Sequence, residues 1–126
     1  MSYCVDYNII DVMIPDSQVD DCLKAINALG GIGIRFSWVL AESFPFPSLV
    51  KAFEEWRFST KVVNGNVHLE YFTGEKLGDE ETLFNTIDPF VAPGGIIEAR
   101  GEDGEQWRFC FTKYGIRHQQ ARIVWE

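Results

Sequence analysis

Six residues in the second half of the chain carry side chains suited to binding: Glu75, Glu98, Glu102, Asp103, Trp107 and Arg108. Carboxylates beside an arginine and an indole can hold a polar ligand, and two carboxylates can run hydrolysis as acid and base. Period-two alternation puts Glu98 and Arg100 on one strand face, where they oppose Arg108. Cross-strand Glu–Arg pairs are ordinary sheet stabilisers, so the pattern favours ion pairing over a catalytic carboxylate. Glu70, Glu75 and Glu98 come together only if the strand carrying Glu70 neighbours the strand carrying Glu98.

Other chemistry has little to draw on. His68 and His118 are the two histidines, and neither has a Cys, Asp or second His at metal-ligand spacing, so no metal is expected. The run Glu102-Asp103-Gly104-Glu105 lacks the alternating acids of a calcium loop and reads as a tight turn. Gly30, Gly31 and Gly33 lie between a helix and a strand, the reverse of the order a phosphate cradle needs. No GxSxG elbow occurs. No catalytic residue and no cofactor are assigned, and binding is favoured over catalysis.

The chain has 126 residues, enough for a single domain spanning 1–126. A 46% hydrophobic content, with ten Phe, four Trp and four Tyr, supplies a core without staples. Cys4, Cys22 and Cys110 are odd in number and form no CxxC, so a disulfide scaffold is not expected, and Cys22 and Cys110 read as small core residues. No signal peptide and no apolar run of roughly 20 residues is present, which leads to an expected cytoplasmic location and no membrane partner.

The net charge of −8 is uneven along the chain. Residues 70–105 carry acids from Glu70 to Glu105 against Lys76 and Arg100, while residues 106–126 are net basic. A nucleic acid would be repelled and a basic protein attracted.

The elements that must position these groups follow from periodicity. Residues 6–14 predict a strand ending at Pro15. Ser17 with Asp20 predicts a capped helix with Val19, Cys22, Leu23, Ile26 and Leu29 on one stripe. Residues 32–40 predict a strand. A second helix starts near Pro47 and buries Leu49, Ala52, Phe53 and Trp56. Asn64-Gly65 predicts a hairpin over 58–73, with Val67, Leu69 and Tyr71 on one face. Asp79 caps a third helix that buries Leu83, Phe84 and Ile87 and ends at Pro89. Strands at 96–101, 106–114 and 117–125 close the chain, with Trp107, Phe109 and Phe111 sharing a face and Ala121, Ile123 and Trp125 another. The expected fold is α+β: one mostly antiparallel sheet of six to seven strands with three helices, in the order β-α-β-α-β-β-α-β-β-β.

Within residues 70–126 a set of motifs stands out: Gly74-Glu75-Lys76, Gly78-Asp79-Glu80, Pro89-Phe90, Gly95 with Ile97-Glu98, Gly101 to Gly104, Trp107-Arg108, Phe111, and Ala121 to Glu126. This block resembles a family of small uncharacterised bacterial proteins. The resemblance implies a bacterial source and no particular reaction.

Two functions are therefore expected. The first is a protein-interaction module, either homo-oligomeric or directed at a basic partner, such as an inhibitor or immunity protein. The alternative is a small-ligand binder or enzyme using Glu75, Glu98, Trp107 and Arg108 in a cleft on the sheet.

Overall fold

The structure, a computed structural model, describes residues 5–31, 39, 41–74, 80–122 and 124–125. Its elements in chain order are β1 (Val5–Ile10), β2 (Met13–Ile14), α1 (Asp16–Ala28), α2 (Leu49–Glu55), β3 (Phe58–Val63), β4 (Asn66–Phe72), α3 (Glu80–Ile87), β5 (Ile96–Gly101), β6 (Gln106–Thr112) and β7 (Gly115–Gln120). The α+β class and the three helices are as expected. The strand expected over 32–40 lies outside the described residues, apart from buried Val39.

The sheet differs from expectation. The described strands form two antiparallel sheets, β1-β5-β6-β7 and β2-β4-β3. The cause is local. The strand expected over 6–14 breaks at Asp11, whose φ of 52° lies in the left-handed region. Before the break β1 pairs with β5; after it β2 pairs with β4. The Val12 carbonyl still accepts from the Leu69 N–H at 3.0 Å, which stitches the corner to β4. Segment 92–95 closes the other side: the Ala92 N–H donates to the Met13 carbonyl at 2.9 Å, and the Phe111 N–H donates to the Gly95 carbonyl at 2.9 Å. Gly95 therefore lies directly on the corner.

Helix α1 starts without a side-chain cap of its own, at Asp16 rather than Ser17. The cap comes from the hairpin instead: Asn66 Oδ1 accepts from the Asp16 N–H at 2.9 Å. Asn64 and Gly65 both have positive φ, as a two-residue hairpin turn requires, and Gly65 sits against the Asp16 side chain. One turn thus joins β3 to β4 and satisfies an orphan helix donor. Ser48 caps α2 in the ordinary way, its Oγ accepting from the Lys51 N–H at 3.2 Å.

A register shift at Ser59/Thr60 leaves Glu70 without a partner across the hairpin. The bulge reverses the faces beyond it. Phe72 turns inward and Tyr71 is 67% exposed, the opposite of the simple alternation expected. Helical expectations fare better: Leu49, Ala52, Phe53, Trp56, Leu83, Phe84 and Ile87 are all buried. The last strand stops at Gln120, and Trp125, expected inward, is 90% exposed.

Aromatic rings bridge the two sheets. Tyr7 meets Phe72 at 4.9 Å, Phe72 meets Phe58 at 5.1 Å, Phe58 meets Phe84 at 5.7 Å, and Phe84 meets Phe109 at 5.0 Å. Phe84 comes from α3, so this helix lies on the inner face of the four-stranded sheet.

Two substitutions test this framework. A Cβ at Gly95 would lie 2.9 Å from the Asp11 carbonyl oxygen and 3.0 Å from Val12 Cα, both backbone atoms. Gly95→Ala should cost about 1–3 kcal/mol, read as a lower urea midpoint. Asn66→Ala should cost about 1 kcal/mol by uncapping α1 from a distance, with amide exchange accelerating in its first turn.

Candidate functional site

With the helices on one side, the four-stranded sheet turns its other face to solvent. Pairing fixes which side chains meet there. Asp6 stands opposite Arg100, and Arg100 opposite Gln106. Asn8 stands opposite Glu98, Glu98 opposite Arg108, and Arg108 opposite Gln119. Ile10, Ile96, Cys110 and Arg117 form a third row.

In the middle row the expected Glu98–Arg108 ion pair does not form, although register places the two directly opposite. Each turns to an amide on its far side. Glu98 Oε1 accepts from Asn8 Nδ2 at 3.4 Å. Arg108 Nε donates to Gln119 Oε1 at 2.7 Å, and that oxygen also receives the Cys110 thiol at 3.8 Å. This bond uses Nε and leaves the terminal guanidinium nitrogens as further donors.

Around this row lies a depression of about 490 Å³, bounded by Glu98, Gln106, Trp107, Arg108, Gln119 and Arg122 among others. A hollow of about 230 Å³ adjoins it on the β1 side through Glu98 and Gln106. Of the six residues singled out from sequence, Glu98 and Arg108 share this face; Trp107 borders the depression along β6 but alternates with Arg108 and packs against the core on the helical side. Glu102 and Asp103 are exposed in the β5–β6 turn and do not line the depression. Glu75 lies outside the described residues.

The proposed grouping of Glu70 with Glu98 does not occur. β5 has β1 and β6 as neighbours, so β4 is never beside it. Glu70 instead lines a separate hollow of about 310 Å³ with Asp11, Lys61 and His68. Asn8, Gln119 and Arg122 were not picked out from the sequence. Pairing residues 106–112 with 115–120 across the Lys113-Tyr114 turn would have placed Gln119 beside Arg108.

The histidines have structural settings. His118 stacks on Phe109, ring centroids 4.7 Å apart and planes 15° from parallel. His68 sits between Met13 and Lys61 across the β2-β4-β3 sheet. Among the described residues no group of three His, Cys, Asp or Glu could hold a metal ion. No helix among them is long and apolar enough to cross a membrane.

The helical side has the opposite charge character. Asp16, Asp20, Asp21, Glu42, Glu54, Glu55 and Glu81 are exposed on the helices and the short helical turn at Ala41–Ser43, against Lys24 and Lys51. Lys51 is already paired with Glu54 at 3.4 Å. The sheet face holds Arg100, Arg108 and Arg117 against Asp6 and Glu98. A strongly acidic layer is thus backed by a weakly basic one.

Below the surface, burial raises the Tyr7 hydroxyl pKa, and the charges of Glu80 and Glu81 raise it further. Burial alone pushes the Cys22 thiol up to about 12. This thiol is fully enclosed beneath α1, a core residue as the sequence predicts.

No protein-family model, curated protein or solved structure matches the chain. Within the motif block of residues 70–126, Glu98, Trp107, Arg108, Ala121 and Arg122 border the depression.

The Cys22 shift has a defined sign. Below pH 9 native and unfolded chains both keep the thiol proton, and the buried thiol's contribution is intact. Between pH 9 and about 12 only the unfolded chain releases it, so stability falls as pH rises. The expected slope is up to ~1.4 kcal/mol per pH unit from this group. Urea titrations across this window should show a shallower fall in Cys22→Ala; an equal fall would contradict the assignment.

Proposed function

We propose that the protein is a protein-interaction module that engages a basic partner through its acidic helical layer. The observation that carries this reading is the cluster of exposed acids on the helices, Asp16, Asp20, Asp21, Glu54, Glu55 and Glu81, against Lys24 and Lys51 among the described residues. Like charges held on one rigid layer raise the local potential, speed encounter with a basic surface and select against acidic ones. In its narrower form the partner is a basic nucleic-acid-binding protein that this layer masks, as an inhibitor or immunity protein would, within a bacterial cytoplasm. The division of charge between the two faces also favours head-to-tail contact between copies, a heterologous arrangement that does not close by two-fold symmetry.

Charge reversal on the helices separates these readings. In host extract at about 50 mM salt, the wild-type chain should retain a basic protein that is released at about 500 mM, where screening shortens to a few ångströms. Asp20→Lys, Asp21→Lys and Glu55→Lys combined should abolish retention with the melting temperature nearly unchanged. Retention that survives both the salt and the triple substitution would refute the proposal. Sedimentation of the purified chain at low salt reports self-association directly.

A further inference from the structure

The unformed Glu98–Arg108 pair leaves two opposite charges on the sheet face bonded to amides and not to each other. Directly opposed residues in an antiparallel pair have Cβ atoms about 4.5–5.5 Å apart, well within reach of an ion pair for side chains this long. Both groups are nevertheless drawn apart, Glu98 to Asn8 and Arg108 to Gln119. What results is a carboxylate and a guanidinium that are each bonded to a flanking amide and not to each other, beside a depression of about 490 Å³. That volume falls in the range of small-molecule sites.

The depression has further polar equipment. Gln119 uses its oxygen on Arg108 and Cys110, which leaves its NH2 as a donor. Gln106 adds a second amide. Arg122 adds positive charge on the Arg108 side.

We propose that this depression is a binding site for a small zwitterion of the α-amino-acid type. Its carboxylate meets the terminal guanidinium nitrogens of Arg108, and its ammonium meets Glu98. The two side chains already stand apart, so the ligand completes an electrostatic pairing without first breaking one. The glutamine amides favour a ligand whose side chain is itself an amide. This site lies on the face turned away from the helical layer and does not rest on the basic-partner reading.

The test uses the full chain and defined probes: L-glutamine and L-phenylalanine as free zwitterions, N-acetyl-L-glutamine as the carboxylate alone, and L-glutaminamide as the ammonium alone. The readouts are NMR shifts of the Arg108 Nε–H and Gln119 side-chain signals, and the affinities obtained from them. At least one free zwitterion should move both signals and bind roughly tenfold or more tightly than either blocked probe. Arg108→Gln should abolish binding. Glu98→Gln should remove the preference for the free amine, so that L-glutamine and its N-acetyl form bind alike. Both positions are exposed, and unchanged thermal melting verifies that the variants fold. The proposal is overturned if no probe moves these signals at about 50 mM, or if N-acetyl-L-glutamine binds the wild-type chain as tightly as L-glutamine. Neither variant should alter retention of a basic partner, so failure here is distinguishable from failure of that reading.

Discussion

The architecture depends on one bend. At Asp11 the first strand must turn out of one sheet and into another, and a left-handed residue there makes the turn. Once it is made, β1 is committed to β5 and β2 to β4, and the two sheets cannot lie flat side by side. The wedge between them must be filled, since a void would forfeit contacts on every surface lining it. Tyr7, Phe58, Phe72, Phe84 and Phe109 fill it as a continuous series of tilted and edge-on rings, the arrangement their quadrupoles favour. The aromatic richness of this small chain thereby acquires a structural cause. The corner also explains Gly95: segment 92–95 must bond to Met13 and to Phe111 at once, and only a residue without a Cβ fits against Asp11 and Val12.

Sequence reasoning was accurate where the signal is local. Asn64-Gly65 marks its own turn, and the spacing of Leu49, Ala52, Phe53 and Trp56 marks one buried helical stripe. It failed where the outcome depends on distant partners. Nothing in residues 6–14 says that the strand changes sheets, because a non-glycine left-handed residue leaves no distinctive letter. The bulge at Glu70 inverts Tyr71 and Phe72, and alternation has no means of registering an inserted residue. The cap of α1 arrives from Asn66, 50 positions away, so the search for a local capping residue settled on Ser17 and misplaced the start. Trp125 was assigned to a core face on periodicity that continues past the end of β7, where no strand remains to define a face.

Charge shows the same division between chain and space. Along the sequence the deficit falls between residues 70 and 105, yet several of those acids end in different places. Glu81 joins the helical layer, Glu98 lies on the sheet face, and Glu102 and Asp103 occupy a turn. Meanwhile Asp16, Asp20, Asp21, Glu54 and Glu55, which are diluted by bases in the first half of the sequence, collect on the helices. The arginines follow the strands, since Arg100, Arg108 and Arg117 occupy outward positions in three consecutive strands. Folding thus redistributes a charge that is uneven along the sequence into two faces of unlike character.

The sheet face itself shows how register can place two opposite charges together without joining them. An exposed ion pair contributes little, because water solvates each partner nearly as well as they solvate each other. A neighbour that offers a better-directed hydrogen bond can therefore outcompete it. Gln119 offers Arg108 such a bond at 2.7 Å, and Asn8 holds Glu98 from the other flank. Among the described strands β1 and β7 flank β5 and β6, so these amides pull outward in opposite directions. The separation of Glu98 from Arg108 is thus a consequence of which residues flank them: amides on β1 and β7 draw the two members of the central pair apart.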